Sequence, residues 1–229
     1  MILERVALEL GVPLHFIESL ARTASYEYKS YPIPKRQGGY REIHHPSRRL
    51  KGLQRWLLLN VVEQLPIHSA ASAYRKHRSI FDNAKIHAPR RYLLRMDLEN
   101  FFPSITEPDI RKYIETHATL FSGWTSSDVG SFCGLVCRHS SLTVGAPTSP
   151  MLSNALCYDL DVSLETLCDK AHVAYTRYAD DLFFSTDQPN VLRQIETDVA
   201  RAISELKIPA KLRLTVRGES LDSPMKFLA

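Results

Sequence analysis

Two adjacent carboxylates set between two apolar, aromatic runs constrain this chain most: Tyr175-Thr-Arg-Tyr178-Ala179-Asp180-Asp181-Leu182-Phe183-Phe184-Ser185. Each run is about the length of a strand, so the segment predicts a β-hairpin whose tight turn carries Asp180 and Asp181. Successive strand residues face opposite sides, and paired acids in a buried hairpin are costly unless a cation receives them. Magnesium suits that task, because it takes oxygen ligands and keeps positions for water and phosphate. Ordinary turn chemistry also favours Asp, so the pair alone leaves a plain surface turn open.

The rest of the chain narrows the choice. Its 229 residues suffice for one large domain or two small lobes. Hydrophobic content of 44% and charged content of 24% are those of a globular protein. No apolar run approaches the roughly 18 residues of a membrane span. The opening Met1-Ile-Leu-Glu-Arg-Val-Ala-Leu-Glu-Leu places acids among apolar positions, as an amphipathic helix does and a secretory leader does not. A cytoplasmic protein with no membrane partner is expected. Cys133, Cys137, Cys157 and Cys168 complete no zinc pattern and are expected to be buried small hydrophobes. The net charge of +4 is unevenly spread: basic residues crowd positions 35–95, where the only acids are Glu42, Glu63 and Asp82. Such a first half suits a polyanion.

Periodicity predicts helices over 2–10 and 14–24, then strands over 28–34 and 40–45 joined by Gln37-Gly38-Gly39. Ser47 is a plausible N-cap for a helix carrying Leu50, Leu53, Trp56 and Leu57, and another helix is expected from Ser79 to Ala88. A strand from Tyr92 runs into Asp97. Helices near 107–117 and 126–138, the loop Val144-Gly-Ala-Pro-Thr-Ser-Pro150 and one long helix over about 151–170 follow. Beyond the hairpin, Leu192, Ile195, Val199 and Ile203 mark a last amphipathic helix. The expected fold class is α+β, a small antiparallel sheet with helices packed on one side.

Asp97 supplies a third carboxylate on what could be the neighbouring strand, although a strand-end or N-cap acid is an equal alternative for it alone. Three acids at one sheet edge repel in a low dielectric, and bound cations remove that cost. A pair of magnesium ions bridged by such acids is the standard apparatus for in-line attack at phosphorus.

Asp97 with Phe101-Phe-Pro-Ser104, then Gly145-Ala-Pro-Thr-Ser-Pro-Met-Leu-Ser-Asn154, then Tyr178-Ala-Asp-Asp181 resembles the palm of a reverse transcriptase, in the family's order and spacing. Lys35, Arg36 and Gly39-Tyr-Arg41-Glu-Ile43 look like its fingers hairpin, with Gln54 and Arg55 in the helix that follows. Thr148, where intron and retroviral relatives usually carry Gln, and Asn83-Ala-Lys-Ile-His87 are similar to the bacterial retron type.

The resemblance implies a right-hand polymerase. Residues 1–90 would form N-terminal helices and fingers, 91–214 a palm with fingers elements inserted, and 215–229 an atypical tail from truncation or frameshift, without primer grip or thumb. It implies RNA-directed DNA synthesis with two Mg2+ ions (Mn2+ as a substitute) on Asp97, Asp180, Asp181 and the Leu98 carbonyl. Lys35 and Arg41 would hold the deoxynucleoside triphosphate, although a solvated basic face is their alternative. Phe102 would gate against the 2′-hydroxyl, with plain core packing open for one of Phe101 and Phe102. Pro147 and Thr148 would line the nucleotide; Tyr178, Ser149 and Asn154 would serve template and primer. Asn83 and His87 would recognise RNA, a surface or capping histidine being the rival for His87. Expected partners are a structured non-coding RNA, dNTPs and a toxin or effector protein, with msDNA as product and anti-phage defence as the setting. An inactive RNA-binding remnant and an intron-like or other prokaryotic reverse transcriptase are the rival expectations.

Overall fold

The structure, a computed structural model, describes residues 2–35 and 38–216. Arg36 of the expected hairpin tip and residues 217–229 of the expected tail lie outside the described residues. In chain order the elements begin with α1 (Ile2–Leu10), α2 (Leu14–Thr23), β1 (Tyr28–Pro34), β2 (Tyr40–Pro46), α3 (Arg48–Asn60) and α4 (Ile80–His87). β3 (Tyr92–Leu98), α5 (Phe101–Ser104), α6 (Glu107–Thr116), α7 (Ser126–Val136), α8 (Ser149–Leu156) and α9 (Tyr158–Lys170) follow. β4 (Ala174–Tyr178), β5 (Asp181–Thr186), α10 (Val191–Glu205) and β6 (Leu214–Val216) complete the described chain.

Contacts divide the chain into two compact units, residues 1–65 with 102–156, and residues 66–101 with 157–229. This division interleaves along the sequence.

In the first unit, β1 and β2 pair antiparallel from Tyr28 opposite Pro46 to Pro34 opposite Tyr40. The turn closes through the Lys35 N–H donating to the Gly39 carbonyl at 3.0 Å. Gly38 and Gly39 adopt φ of +89° and +76°, a conformation glycine reaches without a Cβ clash. Ser47 caps α3 as expected, its hydroxyl accepting from the Leu50 N–H at 3.3 Å. The α3 face of Leu50, Leu53, Trp56 and Leu57 is buried. Buried Gln54 donates from Nε2 to the Tyr28 hydroxyl at 2.7 Å and the Leu135 carbonyl at 2.8 Å, tying the hairpin base to α3 and α7. Helices α2 and α7 pack closely enough that a Cβ on Gly134 would stand 2.5 Å from the Ala21 carbonyl oxygen.

In the second unit, four strands form an antiparallel sheet in the order β4-β5-β3-β6. Alternation does what the sequence pattern predicts. Leu94, Met96, Leu98, Leu182 and Phe184 are buried on one face, while Arg95, Asp97, Asp181 and Phe183 share the other. Helix α9 covers the buried face: Tyr175 and Arg177 of β4 both bond its Asp161. Helix α10 buries Leu192, Ile195, Val199 and Ile203 against α9, β3 and β5. The opposite face is not bare, because α4 covers its far end through His87.

The expected single helix over 151–170 is two. Cys157, at φ −89° and ψ 10°, separates α8 from α9. The halves serve different cores, Leu152, Ala155 and Leu156 in the first unit and Leu160, Leu164 and Cys168 in the second. All four cysteines are free and buried, as expected. Strand β6, absent from the sequence expectation, extends the sheet beside Asp97.

Candidate active site

The turn between β4 and β5 consists of Ala179 and Asp180, because Tyr178 and Asp181 are direct strand partners. Asp181 is therefore the first residue of β5. Ala179 sits at φ +58°, a left-handed conformation that costs a non-glycine residue free energy and persists only when its surroundings enforce it. Two bonds enforce it. The Arg177 Nη1 donates to the Ala179 carbonyl at 3.2 Å, and the Leu98 N–H donates to the Asp180 carbonyl at 2.9 Å. The second bond joins the end of β3 to the hairpin turn, so the two acidic motifs meet through the backbone.

Asp97 and Asp181 stand directly opposite each other in the β3–β5 ladder, and both are half-buried. Asp180 is half-buried in the turn, and Tyr178 shares the face of Asp97 and Asp181 through its pairing with Asp181. Like charges directly opposite across a sheet repel. A cation already answers part of that repulsion. Arg95, two residues before Asp97 and on the same face, donates from Nε to Oδ1 of Asp181 at 3.0 Å and from Nη2 to Oδ2 at 2.8 Å.

The oxygen-only donors of Asp97, Asp180 and Asp181 fit a hard divalent cation. Their present arrangement is less complete than expected: among the described residues no group of three or more His, Cys, Asp or Glu is poised to hold a metal. Both Asp181 oxygens are occupied by Arg95. Leu98 contributes its amide to the turn, while its side chain faces the buried side.

Asn83 and His87, the expected RNA-recognition pair, lie in the same unit as the acids. Both are buried. His87 bonds Ser185 Oγ through Nδ1 at 2.8 Å and Thr176 Oγ1 through Nε2 at 2.6 Å. Asn83 Oδ1 accepts from the Ser72 hydroxyl at 3.0 Å, and that hydroxyl also donates to the Arg177 carbonyl at 3.1 Å. The pair fastens α4 to the hairpin. Burial pushes the His87 imidazole down from its ordinary 6.5 to about 4.

The remaining expected residues belong to the first unit. Lys35 and Arg41 are exposed at the tip of the β1–β2 hairpin. Phe102 is half-buried in α5, whereas Phe101 is 4% exposed, so one of the pair is core as expected. Pro147 is half-buried, but Thr148, Ser149 and Asn154 are fully buried. Those three side chains are therefore walls of the unit in this structure, not an open surface. Ser149 Oγ accepts from the Thr143 N–H at 3.2 Å, and the Thr148 hydroxyl has no hydrogen-bond partner among the described residues. The loop is pressed against β2. Gly145 adopts φ +108°, and a Cβ there would meet the His44 carbonyl oxygen at 2.4 Å.

Sequence reasoning missed Arg95, Arg177 and Asp161. Arg95 had a signal, since a residue two before Asp97 in an alternating strand must share its face. Arg177 occupies an inward position of a buried strand, and Asp161 has no sequence-local link to it.

Comparison with known proteins agrees with this geometry. The family described as "Reverse transcriptase (RNA-dependent DNA polymerase)" matches residues 33–216. The retron Mx162 reverse transcriptase of Myxococcus xanthus is 38% identical over 196 residues, covering 79% of this chain and 40% of that protein. The retron Ec83 reverse transcriptase of Escherichia coli is 39% identical over 170 residues, covering 72% of this chain and 54% of that protein. The chain thus spans about half the length of these relatives. Among solved structures, telomerase from Candida albicans in complex with a fragment of telomeric RNA superposes with a TM-score of 0.56 at 13% identity, covering 85% of this chain and 43% of that one. That likeness concerns the fold alone, and it agrees with the expected α+β class of a right-hand polymerase. With its acidic strand end and acidic turn joined by one backbone bond, and the family match running through both, the chain belongs to the reverse transcriptase family.

Proposed function

We propose that this chain carries the nucleotidyl-transfer centre of a retron-type reverse transcriptase, extending a primer along a structured non-coding RNA with deoxynucleoside triphosphates. The observation that carries this reading is the direct opposition of Asp97 and Asp181 beside a turn whose Asp180 carbonyl is held by Leu98. Two Mg2+ ions, or Mn2+ in their stead, would lower the pKa of the attacking 3′-hydroxyl and neutralise the departing pyrophosphate. Asp97, Asp180 and Asp181 would hold them, with the Leu98 carbonyl as a further oxygen. Tyr178 shares the acids' face and would support the primer end. Lys35 and Arg41 would bind the triphosphate, and Phe102 would exclude a 2′-hydroxyl. Pro147 would line the nucleotide, with buried Thr148, Ser149 and Asn154 setting the shape of that wall for nucleotide and template.

Recognition of the RNA is assigned to the outside of α4. Buried Asn83 and His87 orient that helix, so that Phe81, Lys85 and Ile86 face outward. Residues 1–90 and 91–214 would act as fingers and palm, in the cytoplasm, where four free buried thiols are at home. Synthesis of msDNA, an effector protein as partner and a role in anti-phage defence belong to the same proposal.

A second reading, an RNA-holding module without turnover, draws on the engagement of both Asp181 oxygens by Arg95. Magnesium-dependent primer extension on an RNA template separates the two. Extension that disappears in Asp180→Asn while RNA binding persists supports the first. RNA binding with no extension by the unaltered chain supports the second.

A further inference from the structure

Arg95 is built into the acidic face from three directions. In the ladder it stands opposite Phe183, one step from the Asp97–Asp181 pair. Its guanidinium carbon lies 5.7 Å from the centre of the Phe183 ring, in cation–π range. That ring in turn lies against His87, ring centres 5.8 Å apart, and His87 is fixed by Ser185 and Thr176. The fork thus stands on a braced support when it closes on both oxygens of Asp181. Arg95 and Asp181 side chains are 33% and 18% exposed, so the pair is partly shielded from water.

A planar guanidinium that binds a carboxylate through two parallel bonds is a geometric competitor for that carboxylate. Any divalent cation that takes an Asp181 oxygen displaces at least one of these bonds.

We propose that Arg95 is a positioning residue that forks onto Asp181 and competes with a divalent cation for that carboxylate. This rests on the assignment of Asp97, Asp180 and Asp181 as the metal site. The device has two consequences. It relieves the repulsion between Asp97 and Asp181 when no metal is bound, and it raises the metal concentration needed to fill the site.

Mn2+ binding to the full chain, followed by electron paramagnetic resonance of the free ion, tests it without reference to turnover. Arg95→Gln is expected to bind Mn2+ roughly tenfold more tightly, the scale of one charge-assisted fork. Arg95→Lys keeps the positive charge but cannot fork, and is expected to tighten binding severalfold. In an Asp181→Asn background, Arg95→Gln is expected to change nothing. Mn2+ should also raise the melting temperature of Arg95→Gln more than that of the unaltered protein, which reports separately on a variant that folds less well. Binding by Arg95→Lys equal to the unaltered protein overturns the proposal, because loss of charge would then explain the Gln variant. A gain that survives Asp181→Asn overturns it as well. If Asp97→Asn and Asp180→Asn leave Mn2+ binding untouched, the metal-site assignment falls and takes the proposal with it. If those two lose binding while Arg95→Gln is unchanged, only the role of Arg95 falls.

Discussion

Arg177 and Asp161 meet as a two-pronged ion pair, Nε to Oδ1 at 2.8 Å and Nη2 to Oδ2 at 2.6 Å, with neither side chain exposed. Burial alone would lower the guanidinium's pKa, but the charge and hydrogen bonds of Asp161 outweigh it and hold the pKa above its ordinary value. The Tyr175 hydroxyl donates to Asp161 Oδ1 at 2.7 Å, and the third Arg177 nitrogen reaches the Ala179 carbonyl. The acidic turn therefore rests on a buried charge pair. Removing one partner strands the other: Arg177→Met is expected to cost about 3–5 kcal/mol. The double change Arg177→Met with Asp161→Leu should be milder than the single one. Urea unfolding midpoints of the three proteins check the order.

Gly145 makes a sharper local prediction. Its φ of +108° and the 2.4 Å approach to the His44 carbonyl oxygen leave no room for a methyl group. The same segment is pinned by the His44 N–H donating to the Val144 carbonyl at 2.9 Å. Gly145→Ala is expected to destabilise the protein by about 1–3 kcal/mol, the cost of a strained backbone position. Gly52, inside α3, is the control: a methyl group there would enter open space, and its φ is not positive. Gly52→Ala should stabilise by roughly 0.5–1 kcal/mol. Thermal melts of both variants decide whether the loop behaves as its geometry requires.

Sequence patterning was enough to place Asp97 at the end of its strand and Asp180 in the turn. Asp181, expected in the turn beside it, instead opens β5 and shares the face of Asp97, because Tyr178 pairs with it directly. Patterning was also enough for the β1–β2 hairpin, where two glycines mark the turn, and for the Ser47 cap. The helix break at Cys157 carries no such mark. Cys157 is neither glycine nor proline, and the break exists because α8 and α9 bury their apolar faces in different units. Asn83 and His87 show the opposite limit. Their sequence spacing marks one helix face, but whether that face meets solvent or a sheet depends on β4 and β5, far along the chain. Ser185 and Thr176 are ordinary strand residues until α4 lies over them. Arg177 and Asp161 are likewise paired only by the packing of β4 on α9.

Phe101 and Phe102 should separate stability from specificity. Phe101 is core at 4% exposure, so Phe101→Ala is expected to cost about 3–5 kcal/mol. Phe102 is half-buried and is proposed to stand against the sugar 2′-position. Phe102→Ala should leave stability closer to normal and reduce discrimination against ribonucleotides by about 10–200-fold, the scale on which an apolar contact sorts substrates. Single-nucleotide incorporation with matched dNTP and rNTP measures it. An unchanged ratio would assign Phe102 to packing alone.

His87 predicts a pH dependence of stability with a definite sign. Its pKa is held near 4 in the folded protein by burial, against an ordinary value of 6.5. Between those values the unfolded chain takes up a proton that the folded protein refuses. The contribution of His87 is therefore complete above about pH 6.5 and is lost as pH falls towards 4. The difference corresponds to about 3 kcal/mol at most. Neutral imidazole donates at one nitrogen and accepts at the other, and the Ser185 and Thr176 hydroxyls can serve either role. Protonation removes the acceptor and places a charge between α4 and the sheet. Urea unfolding of the unaltered protein at pH 7.5 and pH 5, set beside His87→Gln, isolates this contribution from the carboxylates common to both. The unaltered protein should lose more stability on acidification than the variant. Equal losses would mean that the imidazole does not stay neutral as α4 packs on the hairpin.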